Sequence, residues 1–228
     1  TFTDIVVEDD AGEVRIGKVP TTKENPALGV LQGIGQLVGD PSEIDFFVHG
    51  TTVGLNAFLE RRGAKTMLIM TGGVSDTYTI ARGHREELYK LHYRKPEQLV
   101  PRRNVHEVRE RLAWDGSVIT ELAEEDFAPI IEKAKAEGFQ AIAVCLLHAY
   151  TNPVHELRAR EILKAALPDV SVSLSHQVAP EWREVERASS TVMDAYVAPV
   201  VELYLNTLKA ELAKSGMEKT VHVMGSSG

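Results

Sequence analysis

The sequence predicts an α/β fold, a parallel or mixed sheet with helices on both faces, and three observations lead there. Short apolar runs (Ile44–Val48, Lys65–Met70, Ala141–Leu147 and Val170–Ser175) alternate with segments of helical apolar period. Ala141–Leu147 is apolar without alternation, as a strand covered on both faces requires. The turns that follow these runs carry glycine or Asn-Pro: His49-Gly50-Thr51-Thr52, Thr71-Gly72-Gly73 and Asn152-Pro153.

Taken in order, Ile5, Val6 and Val7 face Val14, Ile16 and Val19 across Asp9-Asp10-Ala11-Gly12, a β-hairpin. Asn25-Pro26 opens a helix with Leu28, Leu31, Ile34, Leu37 and Val38 on one face, and Gly39-Asp40-Pro41 ends it. Ile44–Val48, a helix over Val53–Arg62 and Lys65–Met70 predict a βαβ unit of one parallel sheet. Residues 76–104 are rich in Arg, His, Tyr and Pro and lack a period; they predict a long ordered excursion with a single helical turn. Val105–Leu112 and Val118–Leu122 flank Trp114-Asp115-Gly116 as a second hairpin. Ala123–Glu137 reads as a helix, with acids in its first turn and Gly138 at its end. A further helix runs from Asn152-Pro153 to about Ala166. Trp182–Lys214 reads as one long helix that Pro199 kinks or breaks, and Val221–Met224 is a last strand. Sub-domains of about 1–75 and 105–228 are expected, on either side of the excursion. Thr1 at the start and a bare strand plus glycine turn at the end read as a piece of a longer protein.

Of the 228 residues, 43% are hydrophobic and 25% charged, which excludes a disordered chain. Lys plus Arg is 25 and Asp plus Glu 33, a formal charge of −8 that argues against nucleic-acid or anionic-membrane binding. No apolar stretch reaches the roughly 20 residues that span a bilayer. One cysteine, Cys145, sits in the apolar run and forms no internal disulfide; a reducing, cytoplasmic setting is the expectation.

The turn His49-Gly50-Thr51-Thr52 is the strongest local candidate for chemistry. It follows a predicted parallel strand and precedes a helix, where ligands of open sheets gather. Gly50 lets backbone approach a ligand, the hydroxyls of Thr51 and Thr52 suit an anion, and His49 exchanges a proton near neutrality. The plainer reading has a threonine capping the helix and His49 buried and hydrogen-bonded. Arg82, His84 and Arg85 in the excursion suit a carboxylate or phosphate, or equally a solvated basic loop or subunit interface. Thr71-Gly72-Gly73 lacks the Lys-Ser/Thr of a phosphate loop. His148, His155 and Glu156 match no metal spacing, so no metal site is predicted; Asn152 as helix cap and His148 on loop backbone account for them. Glu181, Arg183, Glu184, Glu186 and Arg187 fall at spacings for intrahelical ion pairs, and Cys145 belongs to the core.

Four blocks together resemble one family. Thr1-Phe2-Thr3-Asp4 is similar to the tail of the Asp-x-Gly-Gly-Thr-Phe-Thr-Asp signature that opens hydantoinase A and 5-oxoprolinase chains. His49-Gly50-Thr51-Thr52-Val53 with Asn56-Ala57 and Leu59–Gly63 resembles its His-Gly-Thr-Thr block. Leu146–Tyr150 with Asn152-Pro153 and His155-Glu156 resembles a third, and Pro180–Glu184 with Glu186-Arg187 and Tyr196–Pro199 a fourth. The resemblance implies the N-terminal region, here incomplete, of an actin-like (ribonuclease H-like) ATPase that holds ATP and Mg²⁺ in a cleft between lobes. It implies an ATP-dependent cyclic-amide hydrolase, of hydantoinase or 5-oxoprolinase type, that activates a carbonyl by phosphorylation. A related ketone carboxylase subunit, or a non-catalytic module binding only partner protein, are the alternatives. Thr1, Thr3, Asp4 and Gly50 would contact the nucleotide, His49, Thr51 and Thr52 would act in catalysis, and Asn56, Arg82 and Arg85 would meet substrate. A hydantoinase B-type subunit or domain, in an oligomer, would complete the enzyme, and these residues alone would be inactive.

Overall fold

The computed structural model describes residues 2–22, 25–83 and 89–225. Thr1, His84 and Arg85 lie outside the described residues. The chain divides into two compact units, Thr1–Asn56 with Val200–Gly228, and Ala57–Pro199. This partition differs from a split into about 1–75 and 105–228, because the chain re-enters its first unit through a C-terminal segment.

In the first unit, strands β1 (Phe2–Glu8) and β2 (Val14–Pro20) form the antiparallel hairpin, with Asp9 Oδ1 accepting the N–H groups of Ala11 and Glu13 in its turn. Helix α1 (Pro26–Leu37) is capped by Asn25, which accepts the Ala27 N–H at 3.1 Å. Of the predicted stripe, Ile34 is buried and Leu31 and Val38 pack against the same cluster, joined by Ala27 and Val30, while Leu28 is exposed. Gly29 and Gly33 bring α1 onto the hairpin, and a Cβ on Gly33 would collide with Ile5. Strand β3 (Phe47–His49) leads into helix α2 (Val53–Leu59). β3 pairs in parallel with the terminal strand β10 (Val221–Val223), and not with the strand after α2. The expected βαβ unit around the His49–Thr52 turn is therefore absent: the strands on either side of α2 belong to different sheets.

The second unit is built on a four-stranded parallel sheet of order β5-β4-β8-β9, comprising β4 (Thr66–Thr71), β5 (Val105–Val108), β8 (Ala141–Cys145) and β9 (Ser171–Leu174). Every residue of β4 and β8 is buried. On one face lie α4 (Phe127–Glu137) and α5 (Val154–Ala166), through Phe127, Ile130, Ala159 and Leu163. On the other lie α3 (Asp76–Ile80) and the first half of α7 (Glu184–Lys214), through Tyr78, Ala188, Val192 and Ala195. Each such fully buried Leu, Ile or Phe contributes about 1.5–3 kcal/mol. Pro199 lies inside α7 without ending it. Gly63 stands against the Tyr196 ring, where a Cβ would overlap ring carbons.

The second hairpin is shorter than the sequence suggests: only β6 (Arg111–Leu112) and β7 (Val118–Thr120) pair, and Val105–Val108 joins the parallel sheet. The break has a cause in the two residues between. Arg109 turns outward, giving its N–H and guanidinium to Asp126, and Glu110 turns into the core. α6 (Ser175–Val178) is a single turn after β9. Among the described residues no helix is long and apolar enough to cross a membrane.

Candidate functional site

Because β3 and β10 run parallel in register, Val223 beside His49, both leave the sheet at the same end. β3 continues into Gly50-Thr51-Thr52 and β10 into Met224-Gly225, and the Met224 N–H donates to the His49 carbonyl at 3.0 Å. Side chains alternate along a strand, so Phe47 and His49 share a face; their rings stack at 6.3 Å. Phe47 packs into the core with Val30, Ile34 and Leu208, which draws the half-buried His49 ring inward. There its Nε2 lies 2.8 Å from the Tyr204 hydroxyl on α7.

Electrostatics follow from this placement. Burial lowers the His49 pKa from the ordinary histidine value of 6.5, so the imidazole is neutral at neutral pH. Burial raises the Tyr204 phenol, with the neighbouring Thr51 hydroxyl acting in the opposite direction. Thr51 Oγ1 also accepts the Val53 N–H at 3.2 Å, an inward-turned role at the start of α2. Thr52 is exposed; its hydroxyl accepts from Asn56 Nδ2 at 3.3 Å while its carbonyl accepts the Asn56 N–H. Apart from the chain neighbours, no atom of the described residues lies within 4 Å of where a Cβ would stand on Gly50 or Gly225. The strand ends thus form an open crest with one outward hydroxyl and two approachable backbone segments over the hydrogen-bonded His49–Tyr204 pair.

The remaining predicted residues are placed elsewhere. Thr3 and Asp4 lie on opposite faces of β1. Thr3 Oγ1 is 3.3 Å from Thr21 Oγ1 beside α1, and Asp4 pairs with Lys18 at 3.1 Å on the outer face. One small ligand does not reach both side chains from the same face. Arg82, in the second unit, gives Nε and Nη2 to Glu186 Oε1 at 2.9 and 2.6 Å. That exposed pair lowers the Glu186 carboxyl. Thr1 and Arg85 fall outside the described residues.

A second polar constellation occupies the C-terminal ends of β4, β8 and β9. In an open sheet this is where a ligand crevice forms: connections from β4 and β8 diverge to opposite sides. Here the crevice is hydrogen-bonded shut. Beyond Cys145 the ladder ends, and the freed backbone groups need partners. Leu146 N–H donates to Glu156 Oε1 at 3.0 Å, Leu146 carbonyl accepts from Arg187 Nη2 at 2.7 Å, and Leu147 N–H donates to Thr71 Oγ1 at 2.8 Å. Thr71 donates in turn to Glu110, whose other oxygen is 2.8 Å from His155 Nδ1. Glu156 further accepts from Ser175 Oγ at 2.6 Å, and its second oxygen meets the His176 N–H at 3.0 Å and His176 Nδ1 at 2.6 Å. Glu110, Glu156, Thr71 and Ser175 have no solvent exposure beyond 4%. The bland expectation for this block is corrected in part. Asn152 does accept the Val154 N–H, but His148 bonds the Tyr150 hydroxyl instead of loop backbone, and Glu156 ties strand ends together. Arg187 is likewise no surface ion-pair partner; it is 1% exposed and lies over the Tyr150 ring. Among the described residues no group of three or more His, Cys, Asp or Glu side chains converges to hold a metal ion.

Sequence reasoning missed Tyr204, Glu110 and His176. Tyr204 leaves a trace: with Leu208 and Leu212 it forms a buried stripe at four-residue spacing, and a buried phenol needs a partner. Glu110 and His176 leave none, since their partners lie 45 and 20 residues away.

The parallel-stranded architecture with its strand-end turn is that of an α/β protein, and the actin-like ATPase fold is that of the solved structures it resembles. Residues 1–167 match the hydantoinase/oxoprolinase N-terminal region and residues 187–228 the hydantoinase/oxoprolinase family. The chain belongs to the hydantoinase/oxoprolinase family. It is 34% identical over 238 residues to the caprolactamase subunit alpha of Pseudomonas jessenii, covering 100% of this chain and 34% of that one. The crystal structure of the ATP-dependent caprolactamase from that organism superimposes with a TM-score of 0.86 at 33% identity, over 98% of this chain and 34% of that one. The acetophenone carboxylase gamma subunit of Aromatoleum aromaticum is 36% identical over 218 residues, 86% of this chain and 30% of that one. A nucleotide-free acetone carboxylase structure, described as carrying out ATP-dependent acetone carboxylation, matches with a TM-score of 0.82 at 26% identity, over 98% of this chain and 34% of that one. The chain thus spans about a third of the length of these relatives.

Proposed function

We propose that the protein to which this chain belongs is an ATP-dependent cyclic-amide hydrolase subunit of hydantoinase or 5-oxoprolinase type, and that the β3/β10 crest is part of its nucleotide site. The observation that carries the reading is the exposed Thr52 hydroxyl following the open backbone of Gly50, at the strand end that β3 shares with β10 and Gly225. Kinship with an ATP-dependent caprolactamase supports it.

The residues of the crest fit phosphate oxygens. A hydroxyl and glycine backbone approach such oxygens closely, as at other phosphate-binding turns. Bound ATP would supply the phosphoryl group that turns an unreactive carbonyl oxygen into a leaving group. The chain's own share is positioning. Thr52 and Gly50 hold phosphate oxygens, Thr51 and Asn56 keep the turn in shape, and neutral His49 holds a proton at the base of the crest. Thr3 keeps the hairpin against α1. Mg²⁺ finds no carboxylate in residues 49–56 or 224–225, so no step is assigned to a metal held by this crest.

The family's naming of alpha and gamma subunits supports a partner, which we propose to be of hydantoinase B type, in a hetero-oligomer. A single, buried cysteine supports a reducing cytoplasmic setting. A second reading, a ketone carboxylase subunit, is favoured by the likeness to acetone and acetophenone carboxylases. The two separate on the full-length protein with its partner. Hydantoin, 5-oxoproline, caprolactam and acetone are supplied with ATP, with and without bicarbonate, and products are followed with ADP or AMP release. Ring-opened acid without bicarbonate supports the hydrolase; a bicarbonate-dependent keto acid replaces it with the carboxylase. Nucleotide-independent turnover of any of them refutes both.

A further inference from the structure

We infer that Tyr204 is a positioning residue of the crest: its hydroxyl donates to His49 Nε2, fixes the imidazole as the Nδ1–H tautomer and anchors the Gly50–Thr52 turn. The inference rests on the reading of the crest as the nucleotide site and names the device that holds that site in shape.

Tyr204 is held where it stands. It is 8% exposed and packs in one cluster with Ala27, Val30, Ile34, Leu208 and Leu212, so its ring has little freedom. Its hydroxyl reaches across 155 residues of sequence to His49 at 2.8 Å, with the two rings 5.6 Å apart. The Tyr204 hydroxyl can donate or accept, and Nε2 of the imidazole is 2.8 Å away. In the inferred order the Tyr204 O–H donates to a bare His49 Nε2. His49 then carries its proton on Nδ1. Burial of the ring favours the same neutral state. The His49 carbonyl is meanwhile held by the Met224 N–H, so the residue before Gly50 is fixed through both ring and backbone. Thr51 accepts the Val53 N–H at the start of α2, and Thr52 is the hydroxyl that faces outward.

The test compares wild type and Tyr204→Phe in the full-length protein with isotopically labelled histidine. The His49 ring nitrogens are assigned by their loss in His49→Gln, and kcat and KM for ATP are measured against pH. Wild type should show a protonated Nδ1 and a bare Nε2. In Tyr204→Phe the tautomers should mix, kcat fall about tenfold with KM for ATP within about twofold, and the acid limb of the pH profile move to higher pH, because the neutral imidazole loses its donor. Protonated Nε2 in wild type, or an unchanged ring signature in Tyr204→Phe, overturns the inference. If Tyr204→Phe does not fold, the wild-type tautomer alone decides. A changed tautomer with unchanged kcat leaves the tautomer assignment standing and overturns the reading of the crest as the reacting site.

Discussion

Both units carry polar side chains at the C-terminal ends of parallel strands, and the two clusters are built for opposite ends. Around β4, β8 and β9, Glu110, Glu156 and Arg187 are shut in the interior, and their hydrogen bonds run to backbone groups freed where the ladder stops. At β3 and β10 the inner His49 and Tyr204 bond each other, Thr51 accepts the Val53 N–H, and Thr52, Gly50 and Gly225 stay open. The same location in a parallel sheet is thus a structural clamp in one place and an accessible crest in the other. What separates them is whether the side chains satisfy the protein's own backbone or leave capacity for a ligand. Substitutions in the clamp should therefore register in stability, and outward substitutions in the crest should register in turnover.

The largest effect is expected from Glu156→Ala. Four donors converge on this carboxylate, the Leu146 and His176 N–H groups, Ser175 Oγ and His176 Nδ1, and all would be left in a buried site. Removing one member of such a buried charged group costs about 3–5 kcal/mol, read as a lowered midpoint in urea unfolding. A midpoint shift no larger than that of a surface substitution would end the comparison, because the clamp would then hold nothing. Next in size is Gly63→Ala, whose added methyl would enter the Tyr196 ring and force repacking, at about 1–3 kcal/mol. Both effects belong to the second unit and precede any ligand.

That division of labour was only partly legible in the amino-acid sequence. Local signals were reliable where one short segment decides its own conformation: the Asp9–Gly12 turn, Asn25 capping α1, Gly138 closing α4, and the unbroken apolar run of β8. They failed where the partner is distant. β3 reads as half of a βαβ unit because α2 and β4 follow it, yet its hydrogen bonds go to β10, more than 170 residues on, and no period in residues 44–71 carries that information. The same distance hides the clamp: His155 and Glu156 look like a helix start until Glu110 and His176 are brought to them. The His49–Thr52 turn was legible as a candidate because residue types alone, a glycine between histidine and two hydroxyls, define what it offers. Which threonine faces outward was not, since residue types alone do not separate Thr51, which accepts the Val53 N–H, from the exposed Thr52.

The two threonines give the sharper test within the crest. Thr52→Val removes an exposed hydroxyl and should leave stability within about 0.5 kcal/mol while ATP-dependent turnover of the full-length protein falls. Thr51→Val removes the acceptor of the Val53 N–H and should cost about 1 kcal/mol with its turnover loss arising through the displaced turn. Equal turnover of wild type and Thr52→Val would move the reacting site away from the crest.

The smallest expected effect is a pH dependence of stability to which His49 of the crest and His106 of β5 both contribute. Burial lowers the folded-state pKa of His49, and burial together with the Lys133 charge lowers that of His106. Their folded values lie below the ordinary 6.5, so at mildly acidic pH the unfolded chain binds more protons than the folded one. This contribution to stability is fully present above about pH 6.5 and is lost as the pH falls from there through the folded values. Unfolding midpoints measured from pH 8 down to pH 5 should therefore decline, and the decline should be shallower in His49→Gln, which has no proton to gain. Because Tyr204 secures the neutral imidazole, Tyr204→Phe should also flatten the slope, by raising the folded value of His49 toward the unfolded one. An identical slope in all three proteins would mean that the Tyr204–His49 pair does not discriminate between the protonation states, and the crest would lose the element that distinguishes it from an ordinary exposed turn.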